Sequence, residues 1–445
     1  LKDEKEFKRI EDTYKMISFA MVLALVYPNP KTERFKRVRR LDLPLVFYLT
    51  STIPLGLIMF TDIYFCWKRR DILEIIRHST VAGPFFGSFV KMFLMYYKRK
   101  ECKQIIDGMN DDYEKFNYIE DEYKDIVRAY IRNNRNYSEN GWAFTCFTCV
   151  LVFPVMASVQ NLYSYIFKAE PTKYMVHDTN RPFRPPEARF ESPFFEVTYA
   201  YMIYASMLYV INFLGYDGFF GLTINHACLK MKLYCKEMEN AMKRKSLDEI
   251  HNGIVSVIVN QRKVMLNYRL VDLIQDTFNI WLGIIVTATI IQIGNLMYTV
   301  SEGQVFDVRY AIFVAGSIVH IFVPCNYATK LQYMSVETSE LLYCSGWESV
   351  WDNRIRKMIM FMIARSQKPL EITAFNLLLF DINLFLSVST YIQRVHRGSL
   401  RLSSHHHHLG VNVSVVRSRE RGSRVRLDHD PGFGRSDNYS GATAI

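Results

Sequence analysis

Seven stretches of about 20 or more apolar residues, nearly free of charge, leave this chain few ways to fold, because a helix of that length rises about 30 Å, the hydrocarbon thickness of a bilayer. They are residues 44–66, 72–97, 142–167, 196–225, 277–302, 310–334 and 372–392. Without water, backbone polar groups must be satisfied inside each segment, so each stretch is expected to be a helix. Pro54, Pro84, Pro154 and Pro324 fall within them, and membrane helices tolerate proline because neighbours re-satisfy the freed carbonyls. The predicted fold class is an all-α membrane protein with seven transmembrane helices, a cytoplasmic N-terminus and cytoplasmic helical extensions. The shorter run 16–28 cannot span and reads as a helix lying on or dipping into the surface. A long charged stretch precedes it, which does not suit a cleavable signal peptide.

Charge sets the expected orientation. With the N-terminus inside, segments 1–43, 98–141, 226–275 and 335–371 hold 34 Lys and Arg, and the outer loops 67–70, 168–195 and 303–309 hold 9. That is the sense of the positive-inside rule, although the inner segments are also longer. Two inner segments carry helical periodicity of their own. In 226–275, Leu229, Leu233, Ile250, Ile254, Val257, Leu266, Leu270 and Leu273 recur at helical spacing, and 340–368 is amphipathic. The expected organisation is a cytoplasmic N-terminus with a surface helix (1–43), helices one to six with an extension at 226–275 (44–334), a cytoplasmic amphipathic helix (335–371), a last, pore-type helix (372–393) and a tail (394–445). The tail holds 9 Arg, no Lys and only two aromatic residues, Phe433 and Tyr439. That composition reads as disordered.

Catalytic signatures are absent: there is no phosphate-cradling glycine loop, no H-E-x-x-H and no nucleophile elbow. No enzymatic activity, cofactor or metal is expected. Cys146 and Cys149 form a C-x-x-C, but in "FTCFTCVLVF", without a partner histidine, they read as small core residues. The histidine run 405–408 lacks a convergent cysteine or carboxylate and reads as low complexity. A pI near 9.1, with arginines beside apolar spans, points to lipid headgroups and topology rather than nucleic acid.

Polar groups at membrane depth are costly and draw attention to function. Lys91 lies near the end of the second span, where its stem can snorkel, and Asp62 lies near an outer end. His320 and Asn326 line a cavity or hydrogen-bond across helices. Asp381, within 372–392, has two readings: a cation-attracting position at a pore mouth, or an interfacial residue opening a shorter helix. In the outer halves of spans two, three, four and six, Phe85, Phe86, Phe89, Met156, Val159, Tyr163, Tyr199, Met202, Ser206, Phe313 and Ser317 form a set suited to a small organic ligand held by shape and dispersion. Ordinary helix packing explains any single member equally well.

The stretch "SELLYCSGWESVWDNRIRKMIMFMIARSQKPLEITA" (339–374) resembles the C-terminal signature of the insect odorant receptors. Tyr343 and Trp347 stand four residues apart, an amphipathic helix follows, and Arg365, Ser366, Gln367, Lys368 and Pro369 lead into Ala374. "GSFVKMFLMYYKRKE" (87–101) and "HIFVPCNY" (320–327) support the likeness, which covers residues 1–392. The resemblance implies seven helices with the N-terminus inside, opposite to G-protein-coupled receptors. It also implies an odorant-gated, non-selective cation channel, tetrameric with the family's shared co-receptor, in the plasma membrane of sensory dendrites. By the same resemblance the second part of the last helix lines the pore, which picks out Asp381, Phe385, Val388 and Ser389. Subunit contacts fall on the cytoplasmic extensions, with Tyr343, Trp347, Arg365, Gln367, Lys368 and Pro369 as the motif.

Two departures stand out: Gln261 occupies a position where the family often has histidine, and the last apolar run gives way early to Gln393, Arg394, His396, Arg397 and Arg401. Arginines there oppose cation flow by like charge, so the tail is expected to impair the pore. The alternatives are a gustatory receptor of the same fold and a G-protein-coupled-type receptor of opposite orientation. Asn136-Tyr137-Ser138, a glycosylation sequon in the second loop, separates the two orientations.

Overall fold

The computed structural model describes residues 6–23, 43–177, 179–180, 183–184, 186–264, 266–301, 308–391 and 394. In chain order the helices are α1 (Ile10–Thr13), α2 (Lys15–Leu23), α3 (Leu43–Arg69), α4 (Ile72–Tyr97), α5 (Arg99–Phe116), α6 (Asp121–Asn133), α7 (Trp142–Phe167), α8 (Phe194–Met242), α9 (Leu247–Val264), α10 (Leu266–Ser301), α11 (Val308–Tyr343) and α12 (Asn353–Ser366). A two-stranded hairpin, β1 (Thr373–Ala374) with β2 (Leu378–Leu379), precedes a short apolar helix, α13 (Ile382–Tyr391). Among the described residues, five helical stretches are long and apolar enough to cross a membrane: Val46–Arg69, Asp121–Phe167, Phe194–Met242, Leu270–Asn295 and Ile312–Ser349. The predicted spans 72–97 and 372–392 correspond to the 26-residue α4 and to the shorter α13. The 394–445 tail, including its histidine run, lies outside the described residues apart from Arg394.

Helix α8, with 49 residues, rises about 74 Å, more than twice the hydrocarbon thickness, so it must extend well past one membrane face. Its second half, through Tyr234, Cys235 and Met238, packs with Ile250, Ile254 and Val257 of α9, Leu342 of α11, and Ile355, Ile359 and Met362 of α12. Ile250, Ile254 and Val257 are among the apolar positions whose spacing predicted helices in 226–275. The expected single helix over 335–371 is instead two pieces. Gly346, with φ of 81°, turns the chain between the end of α11 and α12, a left-handed conformation that glycine adopts without a Cβ penalty.

The described part of the N-terminal run, α2, docks one face on the bundle. Ile17, Ala20 and Met21 of α2 are buried in the main core, while Met16, Phe19 and Leu23 stay exposed. A Cβ on Gly215 of α8 would lie 2.8 Å from the Ala20 carbonyl carbon and oxygen, so only glycine admits this approach. Between α6 and α7 a π-helical turn, Asn134–Gly141, aims Glu139 at the start of α2, where its Oε1 accepts from the Met16 and Ile17 N–H groups at 2.7 and 3.4 Å. Those are orphan donors of a helix N-terminus, satisfied here by an anion. Tyr14 and Tyr113 hydroxyls meet at 3.0 Å, and the Asn110 and Asn117 carbonyls accept from the Ile10 and Phe7 N–H groups.

The run 372–392 is broken, as the second reading of Asp381 anticipates. The hairpin turns at Phe375 and Asn376, whose φ values are 54° and 55°, a region costly for an aromatic residue. Helix α10 holds it there: the Asn376 N–H donates to Asn279 Oδ1 at 2.8 Å, and Gln275 both accepts from the Thr373 N–H and donates to the Thr373 carbonyl. The Asp381 carboxylate then accepts from the Leu384 N–H at 2.8 Å and from Asn383 Nδ2 at 2.9 Å, the geometry of an N-cap. Ten residues of α13 rise about 15 Å, half the hydrocarbon thickness.

Candidate functional site

One aromatic cluster gathers side chains from α3, α4, α7, α8, α11 and the segment after α7. Leu55, Met59, Phe85, Phe153, Met175, Val176 and Met202 are buried in it, with Phe89, Tyr199, Tyr209 and Phe313 packed around them. The Phe85 and Phe89 rings lie 4.9 Å apart, Phe85 and Tyr209 5.9 Å, and Phe153 and Phe313 5.7 Å. Of the predicted ligand residues, Phe85, Phe89, Tyr199, Met202 and Phe313 are therefore brought together. Ser206 and Ser317 are buried, but their hydroxyls donate back to the Met202 and Phe313 carbonyls. Met156 is half-buried.

Phe86, Val159 and Tyr163 face outward, 61%, 60% and 57% exposed, and do not join the cluster. Helical geometry is the reason: Phe86 is one residue, hence about 100°, round from Phe85. Val159 and Tyr163 share a face of α7 opposite to the buried Phe153 and Ala157. The segment after α7 closes the cluster and could not be placed from sequence. It is pinned by Asn161, which exchanges hydrogen bonds with the Tyr174 backbone. Asp62 pins it too: it is buried and accepts from the Asn180 N–H at 2.6 Å.

Lys91 does not snorkel. It is fully buried, 0% exposed, and its Nζ donates to Asp217 Oδ2 at 2.7 Å. Asp217 also accepts from His320 Nε2 at 3.0 Å and from the Trp281 indole at 3.0 Å. The Lys91 ammonium lies 3.7 Å from the centre of the Phe213 ring and 4.3 Å from that of Trp281, an aromatic cage that replaces water around the cation. His320 stacks on Trp142, whose indole donates to the Phe213 carbonyl at 3.2 Å. One carboxylate thus ties α4, α8, α10 and α11 together. Asn326, expected to line a cavity or bond across helices, is exposed. Asp217 is the residue the sequence reading missed; the signal was an acid deep inside span four, whose other acid, Glu196, sits at its end, matching a lone lysine in span two.

Outside the spans, Asp112 of α5 lies 3.0 Å from His226 and 2.8 Å from Lys230. Burial pushes its carboxyl up, but hydrogen bonds and charge from these two residues outweigh burial and hold it well below the carboxylate range. All eight cysteines are free, Cys146 and Cys149 included. Burial pushes the Cys102 thiol up to about 12, leaving it unreactive.

On α13, Phe385 and Val388 face the chain's own core, Phe385 edge-on to Phe322 at 5.2 Å. The open face carries Asn383, Leu386, Ser387, Thr390 and Tyr391, with Ser389 between the two faces. Of the predicted contact motif, Tyr343, Arg365, Gln367 and Lys368 are exposed; Trp347, half-buried, meets Tyr343 edge-on, and Pro369 is half-buried. Near them Trp351 is 90% exposed and Phe361 71%.

A family model described as 7tm odorant receptor matches residues 71–391. The chain belongs to that family. Odorant receptor 10 of Aedes albopictus is 20% identical over 350 residues, covering 76% of this chain and 87% of the relative. Odorant receptor 13a of Drosophila melanogaster is 22% identical over 350 residues, 71% and 77% of the two chains. The olfactory receptor OR5 of Machilis hrabei, solved in complex with eugenol, superposes with a TM-score of 0.68 at 14% identity, over 88% of this chain and 100% of that one. The fold is that of the seven-helix insect odorant receptors, and this family member is a multi-pass membrane protein.

Proposed function

We propose that this odorant receptor is the ligand-binding subunit of an odorant-gated, non-selective cation channel that it forms with a shared co-receptor in the plasma membrane of sensory dendrites. The observation that carries the reading is the aromatic cluster around Phe85, Phe89, Tyr199, Met202 and Phe313, apolar enough to hold a small organic molecule by dispersion. The likeness to a receptor solved with eugenol supports that ligand class. Exposed Tyr343, Trp351 and Phe361 suit a subunit interface, where aromatic residues are enriched. The polar open face of α13, with Asn383, Ser387 and Thr390, is a better pore surface than Phe385 and Val388.

Co-expression with the co-receptor, recording odour-evoked current from this chain and from one given a family-like last helix, tests the reading. Current from both at equal size refutes pore impairment by the arginine-bearing tail; larger current from the repaired chain supports it. Silence from both across a broad odorant panel, with the protein at the cell surface, sinks the channel reading.

Orientation is tested separately. With the N-terminus inside, Asn136 stays without sugar, and a glycosidase-sensitive mass shift abolished by Asn136→Gln overturns the topology. Ser138 of that sequon is buried, its hydroxyl 2.7 Å from that of Tyr327, which also disfavours modification of the folded protein.

A further inference from the structure

Tyr209 on α8 packs against the aromatic cluster, and beside the cluster lie three further polar side chains, Tyr48 on α3, Ser88 on α4 and Asn212 on α8, with the Tyr48 ring 6.5 Å from that of Phe89. The Tyr48 and Ser88 hydroxyls meet at 2.6 Å, and Asn212 hydrogen-bonds Tyr48 as well. The Tyr209 hydroxyl is buried and has no hydrogen-bond partner among the described residues, and Asn212 keeps its Oδ1 unpartnered. Residues three apart on a helix share a face, so a donor and an acceptor are left over on one face of α8. Tyr216 and Tyr234 also carry unpartnered hydroxyls, but they sit in the other two cores, among residues that no ligand reading invokes. Tyr209 instead lies edge-on to Phe85 at 5.9 Å, and Phe85 lies 4.9 Å from Phe89. An unsatisfied buried hydroxyl is unfavourable. In a membrane bundle no bulk water is at hand to satisfy it.

We infer that Tyr209 selects the ligand class: compact apolar molecules bearing one oxygen, whose carbonyl, ether or hydroxyl oxygen accepts a hydrogen bond from Tyr209 Oη. An alcohol can in addition donate to Asn212 Oδ1. The inference rests on the pocket reading proposed above and adds a directional contact to a site otherwise held by dispersion. Discrimination follows from physics: an acceptor-free isostere leaves the buried hydroxyl unpaired, whereas an oxygen-bearing ligand satisfies it.

The test uses the co-expressed complex and two probes of the same shape, acetophenone and α-methylstyrene, which differ by C=O against C=CH2. Binding is read as the shift in Tm of the purified complex over a concentration series. The wild type is expected to bind the ketone at least about tenfold more tightly than the alkene, and Tyr209→Phe to bring the two within about threefold by weakening the ketone alone. The ligand-free Tm of Tyr209→Phe is expected to be unchanged or higher, since no partner is lost. A ligand-free Tm that falls means that the hydroxyl already has a structural partner, which overturns the inference. Equal binding of both probes by the wild type overturns it while leaving the pocket reading intact. Failure of Phe85→Ala to alter the binding of either probe, with the fold retained, counts against the pocket itself.

Discussion

Asp217→Leu is expected to destabilise the bundle by about 3–5 kcal/mol, because it strands the fully buried Lys91 without a counter-charge. The ammonium is enclosed by Phe213 and Trp281, and aromatic faces do not replace a carboxylate at 2.7 Å. His320 and Trp281 lose their acceptor in the same step. Lys91→Met alone is expected to cost less, since Asp217 keeps the Trp281 and His320 N–H donors. The double variant Lys91→Met, Asp217→Leu is expected to recover most of the loss, because hydrophobic residues of similar volume usually replace a buried pair without penalty. What it does not recover is the His320 N–H, left with no carboxylate. Thermal unfolding of the detergent-purified protein, read alongside surface expression, measures all three. A double variant no more stable than Asp217→Leu would show that the pair is not the coupling unit.

This knot also marks where reading the sequence stopped. The spans and the extensions of α8, α9 and α12 were legible because burial imposes a period, and the period of apolar residues survives without coordinates. The break at Asp381 was legible for a related reason, since a carboxylate inside an apolar run must find donors and a helix N-terminus supplies them. Pairing between distant spans was not legible. Lys91 near a helix end looks the same in sequence whether it reaches headgroups or a carboxylate 126 residues away; only packing decides. The aromatic set divides for the same reason. Phe85 and Phe86 are equivalent in composition and hydrophobicity, and the rotation of α4 alone puts one in the cluster and the other outside. Rotation of a membrane helix is weakly encoded, because lipid-facing and core-facing residues are both apolar. The segment carrying Met175 and Val176 had no periodicity to betray it, and its place depends on a few hydrogen bonds with Asn161 and Asp62.

The N-terminal wedge gives the second large effect. Gly215→Val is expected to eject α2 from the bundle, and Gly215→Ala to loosen it by about 1–3 kcal/mol, the usual range for overpacking. The distinction lies in what the added Cβ meets. At Gly56 it would meet the Phe85 ring at 2.6 Å, and a side chain can swing aside. At Gly215 it would meet the carbonyl carbon and oxygen of Ala20 at 2.8 Å, which are main chain and fixed within α2. Relief then requires the whole helix to move. Moving it exposes Ile17 and Met21, worth about 1.5–3 kcal/mol each when fully buried, and pulls the Met16 and Ile17 N–H groups off Glu139. The anchors at Tyr14, Asn110 and Asn117 resist that shift, so the strain is shared with α5 rather than confined to α2. Hydrogen exchange over residues 15–23 is expected to rise in Gly215→Val to the level of an undocked helix, with exchange in α9 and α12 unchanged. Ala20→Gly removes a methyl but not the carbonyl, so it is expected to leave Gly215→Ala unrescued. Rescue by Ala20→Gly would mean that the contact runs through the side chain and that the close approach of the two backbones is wrong.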